Sequence, residues 1–165
     1  MPRWTWTAEE RFWAKVDQNG PLNQDSTRCW LWTAGTATGG HGRFWLAGRM
    51  IPAHQFSYEL LVGPTPRPEE GELDHRLTCP KRCVNPQHLR VCTHKQNMEN
   101  QSRVSNNATS GVRGVHRHRD GWQVTVKHNG RKYRGGNFRI NELDKAEAAA
   151  IELRRTLFTH NDGDE

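Results

Sequence analysis

No stretch of this sequence approaches the ~18 consecutive apolar residues of a membrane span, and only 33% of the chain is hydrophobic. So apolar-poor a chain is not expected to build one large core, and small modules of this kind usually need a staple. The opening residues, MPRWTWTAEERFW, carry charged and polar side chains where a secretory signal needs an apolar run. The reading is therefore of a soluble, intracellular (cytoplasmic) protein with reduced thiols. Internal repeats and coiled-coil heptads are also missing. Four cysteines would permit two disulfides in three pairings. In a reducing compartment the same residues point instead to a bound metal.

What is present is unevenly distributed. At 165 residues the chain is one domain or two small ones, with a net charge of +6. Residues 1–102 hold 12 Lys and Arg against 10 Asp and Glu, whereas residues 103–158 hold 12 against 5. The basic excess thus sits in the second half, as in a polyanion-binding module attached to something else. A polar, Asn- and Ser-rich seam runs from Glu99 to Gly111. These features predict a first domain over 1–102, a linker over 103–110, a second domain over 111–158 and a disordered tail over 159–165.

In the second half, Asp120-Gly121 and Asn129-Gly130 separate β-prone runs, which predicts a three-stranded antiparallel meander. Asn141 is positioned to cap a following helix, in which Leu143, Ala146, Ala150, Leu153 and Leu157 recur at spacings of three and four. Alternation along the middle strand turns Trp122, Val124 and Val126 toward that helix and Gln123, Thr125 and Lys127 away from it. Lys132 and Arg134 fall together on the third strand. Eight Lys or Arg and one Asp lie between Gly111 and Arg139, a lopsided composition for a merely solvated face. A basic sheet of this size can enter the major groove of duplex DNA.

In the first half, EERFWAKV and HQFSYELL read as short helices, and RCWLWT and GRFWLAGRMI as strands. The chemistry concentrates in LDHRLTCPKRCVNPQHLRVCTHKQN, from Leu73 to Asn97, which holds three of the four cysteines. ELDH and LRVCT read as two short strands, and Thr93 with Gln96 as a capping box that starts a helix at His94. Cys79, Cys83 and His88 offer three zinc-type ligands within ten residues. The fourth is Cys92 or the distant Cys29, and spacing alone slightly favours Cys92. His75, with an imidazole near its ordinary pKa, is a candidate general base. Asn97, with Asp74 beside it as a further candidate, offers oxygen to Mg²⁺. One base, one hard metal ion and a polyanion-binding module together describe phosphodiester hydrolysis.

These residues carry two resemblances. The run FWAKV…CWLWT…HGRF…AHQFSYELLVG…LDHRLTCPKRCVNPQHLRVCTHKQN, over residues 10–102, resembles the phage HNH endonucleases of the ββα-metal superfamily. It is particularly similar to the branch whose CVNPxHL loop is like that of the His-Cys box homing endonucleases. The resemblance implies an α+β fold with a ββα-metal nuclease domain and a structural Zn²⁺ on Cys29, Cys79, Cys83 and His88. It further implies His75 as general base and Asn97 as the ligand of a catalytic Mg²⁺ or Mn²⁺. Asp74 matches the metal-binding carboxylate of ordinary HNH enzymes, which the His-Cys box enzymes lack. An arginine bracing the cleaved phosphate is implied as well, with Arg43 and Arg49 as candidates.

Residues 110–158, with SGVRGV, the Trp and Val of the middle strand, GGNF and an alanine-rich helix, resemble the Apetala-two/ethylene-response-factor DNA-binding domain. That domain's DNA-contacting positions fall on Arg113, His116, His118, Thr125, Lys127, Lys132 and Arg134. The function implied is a phage- or mobile-element-encoded, site-specific endonuclease acting on double-stranded DNA as a monomer or homodimer and leaving 5′-phosphate and 3′-hydroxyl ends. A zinc-containing DNA-binding regulator that does not cut is the alternative. An RNA-binding module is weaker, since the meander lacks an aromatic stacking platform.

Overall fold

The structure, a computed structural model, describes residues 5–76, 79–100 and 109–159. The chain divides into two compact units, Met1–His94 and Lys95–Glu165. This division falls eight residues before the end of the predicted first domain at 102. Residues 103–108 of the predicted linker and 160–165 of the predicted tail lie outside the described residues. The architecture is α+β with small antiparallel sheets.

The first unit opens with helix α1 (Ala8–Trp13), whose N-terminus carries a capping box: Glu10 N–H donates to the Thr7 hydroxyl, and Thr7 N–H to the Glu10 carboxylate. Strands β1 (Val16–Asp17) and β2 (Leu31–Trp32) pair, and β3 (Arg43–Leu46) and β4 (Arg49–Pro52) form a hairpin. Helix α2 (Ala53–Leu61) follows directly, with its Ala53, His54, Phe56 and Ser57 buried. Strands β5 (Glu72–His75) and β6 (Leu89–Cys92) close the unit as a second hairpin, with Asp74 opposite Arg90 and His75 opposite Leu89. The core is small and aromatic. Phe12, Trp32, Phe44, Ala53, Phe56 and Val84 are buried together, with the Phe44 and Phe56 rings 4.6 Å apart.

Helix α3 (His94–Glu99) starts where Thr93 and Gln96 predict, and from Lys95 onward it belongs to the second unit. That unit is a meander of β7 (Val115–His118), β8 (Gly121–His128) and β9 (Arg131–Arg139), with helix α4 (Leu143–Leu157) against it. Val115, Trp122, Val124, Ala146 and Ala150 form its core, the two alanines letting helix and sheet approach closely. Asn129 and Gly130 make the β8–β9 turn with φ of 50° and 75°, the left-handed pair such a hairpin requires.

Two local readings are corrected. His118 pairs with Gly121, so the β7–β8 turn is Arg119-Asp120, one residue early, and Arg119 takes a φ of 50°. Gly121 is instead the first strand residue, where a Cβ would stand 2.1 Å from the Phe138 carbonyl oxygen. Asn141 does not cap α4. The helix begins after Glu142, whose carboxylate accepts from the Arg139 N–H and from Lys145. A longer carboxylate side chain, folded back on the end of β9, thus fixes the entry to the helix.

Candidate metal centre and histidine cluster

Cys29 reaches the Cys79–His88 loop through backbone pairing. Leu31 bridges Cys83, Trp32 N–H donates to the Arg82 carbonyl at 2.9 Å, and Val84 N–H to the Trp30 carbonyl at 2.7 Å. This short ladder lays the CWLW segment along the loop that carries Cys83. Asn85 adds a cross-link, its Nδ2 donating to the Arg28 carbonyl at 2.9 Å while its Oδ1 accepts from Gln87 N–H to start a 3₁₀ turn over Pro86–His88. The ligand atoms of Cys29, Cys79, Cys83 and His88, all buried, lie within 4.8 Å of one another. His88 Nδ1 is 3.6, 3.2 and 3.5 Å from the sulfurs of Cys29, Cys79 and Cys83. Zinc–ligand bonds of ~2.0–2.3 Å in a tetrahedron put ligand atoms about 3.5 Å apart, so this donor set suits zinc in a closed, structural site. Cys92 is buried at the end of β6 outside the cluster, so the spacing preference for it is overturned.

Burial of three thiols around one point sets their protonation against one another. Cys83 is held down to about 5, chiefly by the hydrogen bond from the Cys79 thiol, with Asn85 N–H donating to its sulfur as well. Cys29 is pushed up, mainly by desolvation, and Cys79 is pushed up by its hydrogen bond to Cys83 and by burial. A divalent cation is what allows all three to ionise together.

The outer shell of this site was not foreseen. His88 Nε2 lies 2.6 Å from the Thr27 hydroxyl, whose own O–H donates to Asp25 at 2.5 Å. That chain fixes the proton on Nε2 and directs the Nδ1 lone pair to the sulfurs, the usual way a carboxylate orients a ligating histidine. The sequence signal was Asp25-Ser-Thr27 just ahead of Cys29. Thr27→Val should weaken zinc affinity by roughly 10–100-fold without unfolding the loaded protein, measured by competition with a chelator of known affinity.

His75 ends β5 and is buried. Its Nε2–H donates to the carbonyl of Cys83 at 2.9 Å, which makes Nδ1 the nitrogen with the lone pair. Burial lowers its pKa from 6.5 to about 4, so the ring is neutral at pH 7; the expectation of a near-ordinary value is corrected. Two histidines that sequence reading passed over stand against it. The His54 ring, on α2, is 4.7 Å from that of His75, and the His41 ring, ahead of β3, is 5.2 Å away. Three histidines from a loop, a helix and a strand share no sequence spacing, so no signal marked them.

Asp74 is close enough for its charge to raise His41, and Lys81 close enough to lower it. The Asp74 carboxylate also meets Arg90 Nη2 at 3.4 Å across the hairpin. Arg43 and Arg49 are both exposed on the β3–β4 hairpin. Asn97 is half-buried on α3, in the part belonging to the second unit.

In the second unit, register sets the basic face. Thr125 is opposite Arg134 and Lys127 opposite Lys132, beyond a bulge at Val124/Thr125, while His116 is opposite Gln123. His116, His118, Lys127, Lys132 and Arg134 are exposed, and Thr125 is half-buried. Arg113 is engaged within the unit, its guanidinium donating to the Glu99 and Met98 carbonyls at 2.8 and 3.2 Å and lying over the Phe158 ring. Like charges directly across two strands are unfavourable unless an anion covers them.

No protein-family model matches the chain, and no solved structure matches it. Protein 7.7 of Escherichia phage T7 is 35% identical over 71 residues, which are 43% of this chain and 52% of the phage protein. The match thus spans about half of that relative's length.

Proposed function

We propose that the chain is a site-specific, metal-dependent endonuclease of the ββα-metal (HNH) type, its first unit held by Zn²⁺ and its second unit an Apetala-two-like reader of duplex DNA. The observation that carries this reading is His75: a buried, neutral imidazole whose Nε2–H is anchored on the Cys83 carbonyl, a tautomer that puts the ring's lone pair on Nδ1. A base so anchored takes a proton from the attacking water, which adds to phosphorus in line with the leaving 3′-oxygen. The products are 5′-phosphate and 3′-hydroxyl ends.

Mg²⁺ or Mn²⁺ is assigned to an oxygen donor, Asn97 by the family resemblance, with Asp74 as the further candidate. When bound, such an ion would supply charge neutralisation at the scissile phosphate. Asp74 fits this use because its negative charge reaches His41. Of the two arginines, Arg43 is the better brace. It follows His41 by two residues, whereas Arg49 pairs with Leu46, five residues along at ~3.3 Å per strand residue, or about 16 Å from His41. Likeness to a phage protein suits a phage- or mobile-element-encoded enzyme. A non-cleaving zinc-containing regulator would use the same zinc site and basic face, but it gives His75 no task.

The reader is tested by binding. The full chain should hold duplex DNA with an affinity that falls steeply with salt. Lys127→Ala and Arg134→Ala should each reduce the slope of log K against log salt by about 1, as one phosphate contact is lost. Absence of DNA affinity at low salt would leave the sheet face as a solvated surface.

A further inference from the structure

The ligand nitrogens of His41, His54 and His75 lie within 4.8 Å of one another. Two of these rings carry a buried nitrogen with no hydrogen-bond partner, His41 Nδ1 and His54 Nδ1. His54 is 7% exposed and His75 8%, so these are buried polar rings gathered at one point inside the first unit. A buried nitrogen without a partner loses its hydrogen bond to water and gains none in return, which destabilises the fold. An apolar ring at position 54 would have avoided that cost.

We propose that His41, His54 and His75 form a second metal site, separate from Cys29, Cys79, Cys83 and His88, for a borderline divalent transition ion such as Zn²⁺, Co²⁺ or Ni²⁺. Imidazole nitrogen suits these ions, while Mg²⁺ prefers oxygen. Three nitrogens at metal–nitrogen bonds of ~2.0–2.1 Å leave a coordination position open, as in catalytic rather than structural sites.

The charge environment is consistent with this use. Burial lowers His54 to about 3 and lowers His41 as well, so both present lone pairs rather than protons at neutral pH. Asp74 adds a negative charge nearby, and Lys81 an opposing positive one. An ion held here takes the same His75 ring that the proposed cleavage reaction uses as base. The two uses exclude each other, but ion binding does not depend on the chain being a nuclease.

The test is a Co²⁺ titration of the full chain after one equivalent of Zn²⁺ has been loaded and excess metal removed. A second equivalent should bind, giving visible d–d bands without sulfur-to-cobalt charge-transfer absorption. His41→Ala and His54→Phe should each weaken this second binding by at least tenfold while the zinc content stays at one per chain. His54→Phe keeps the ring volume, and His41 is half-exposed, so one of the two remains informative if the other fails to fold. The proposal is overturned if no second equivalent binds, if both variants bind it normally, or if Co²⁺ enters only by displacing zinc. Failure of the wild type to cut DNA in Mg²⁺ before any Co²⁺ is added would refute the nuclease reading and leave this outcome untouched.

Discussion

Cys83→Ser should abolish zinc binding and unfold the first unit while leaving the β7–β9 meander intact. The side chain is fully buried among three other ligands, and its backbone is paired through Leu31 to the segment bearing Cys29. Structural zinc in small modules contributes roughly 10–16 kcal/mol of apparent binding free energy, as much as the whole stability of a typical domain. The aromatic core around Phe12, Phe44 and Phe56 is too small to replace that. Once excess metal has been removed, elemental analysis should find one tightly held zinc per wild-type chain and none in the variant, with near-ultraviolet dichroism of the first unit's tryptophans lost. Cys92→Ser should keep its zinc, because Cys92 stands outside the cluster. Retention of zinc by Cys83→Ser would refute the ligand assignment.

His75→Ala should keep zinc and DNA affinity yet cut about 10²–10⁴ times more slowly, the usual contribution of a general base. The pH profile carries a second signature. Because burial holds the imidazole at about 4, its neutral form already prevails above that value. Activity lost through His75 protonation should therefore appear only as pH falls toward about 4, with no ascending limb at the ordinary imidazole value of 6.5. A limb centred there would assign the base to a more exposed histidine. Asn97→Ala should fail differently and recover in part at higher Mg²⁺ or Mn²⁺, which His75→Ala should not do.

Local patterns were the most legible. Alternation in WQVTVKH gave the buried and exposed faces of β8, and Asn129-Gly130 gave its turn, because both signals are set within a few residues. The Asp120-Gly121 reading slipped by one residue because that glycine is required by close approach to the Phe138 carbonyl rather than by turn geometry. Cys79, Cys83 and His88 were visible from spacing. Cys29 stood only as the less favoured alternative to Cys92, since it arrives through the Leu31–Cys83 bridge, a tertiary contact, and the family resemblance alone preferred it. His41 and His54 left no trace, because each lies on a different element and a lone histidine on an amphipathic helix reads as core.

Exposure of a randomised duplex DNA library to the zinc-loaded chain in Mg²⁺, followed by sequencing of any new ends, tests the central proposal most directly. Molecules cut at a shared sequence, carrying 5′-phosphates and 3′-hydroxyls, are expected, with none produced in EDTA. A library that the protein binds but leaves intact would contradict the nuclease and leave a zinc-stapled DNA-binding protein.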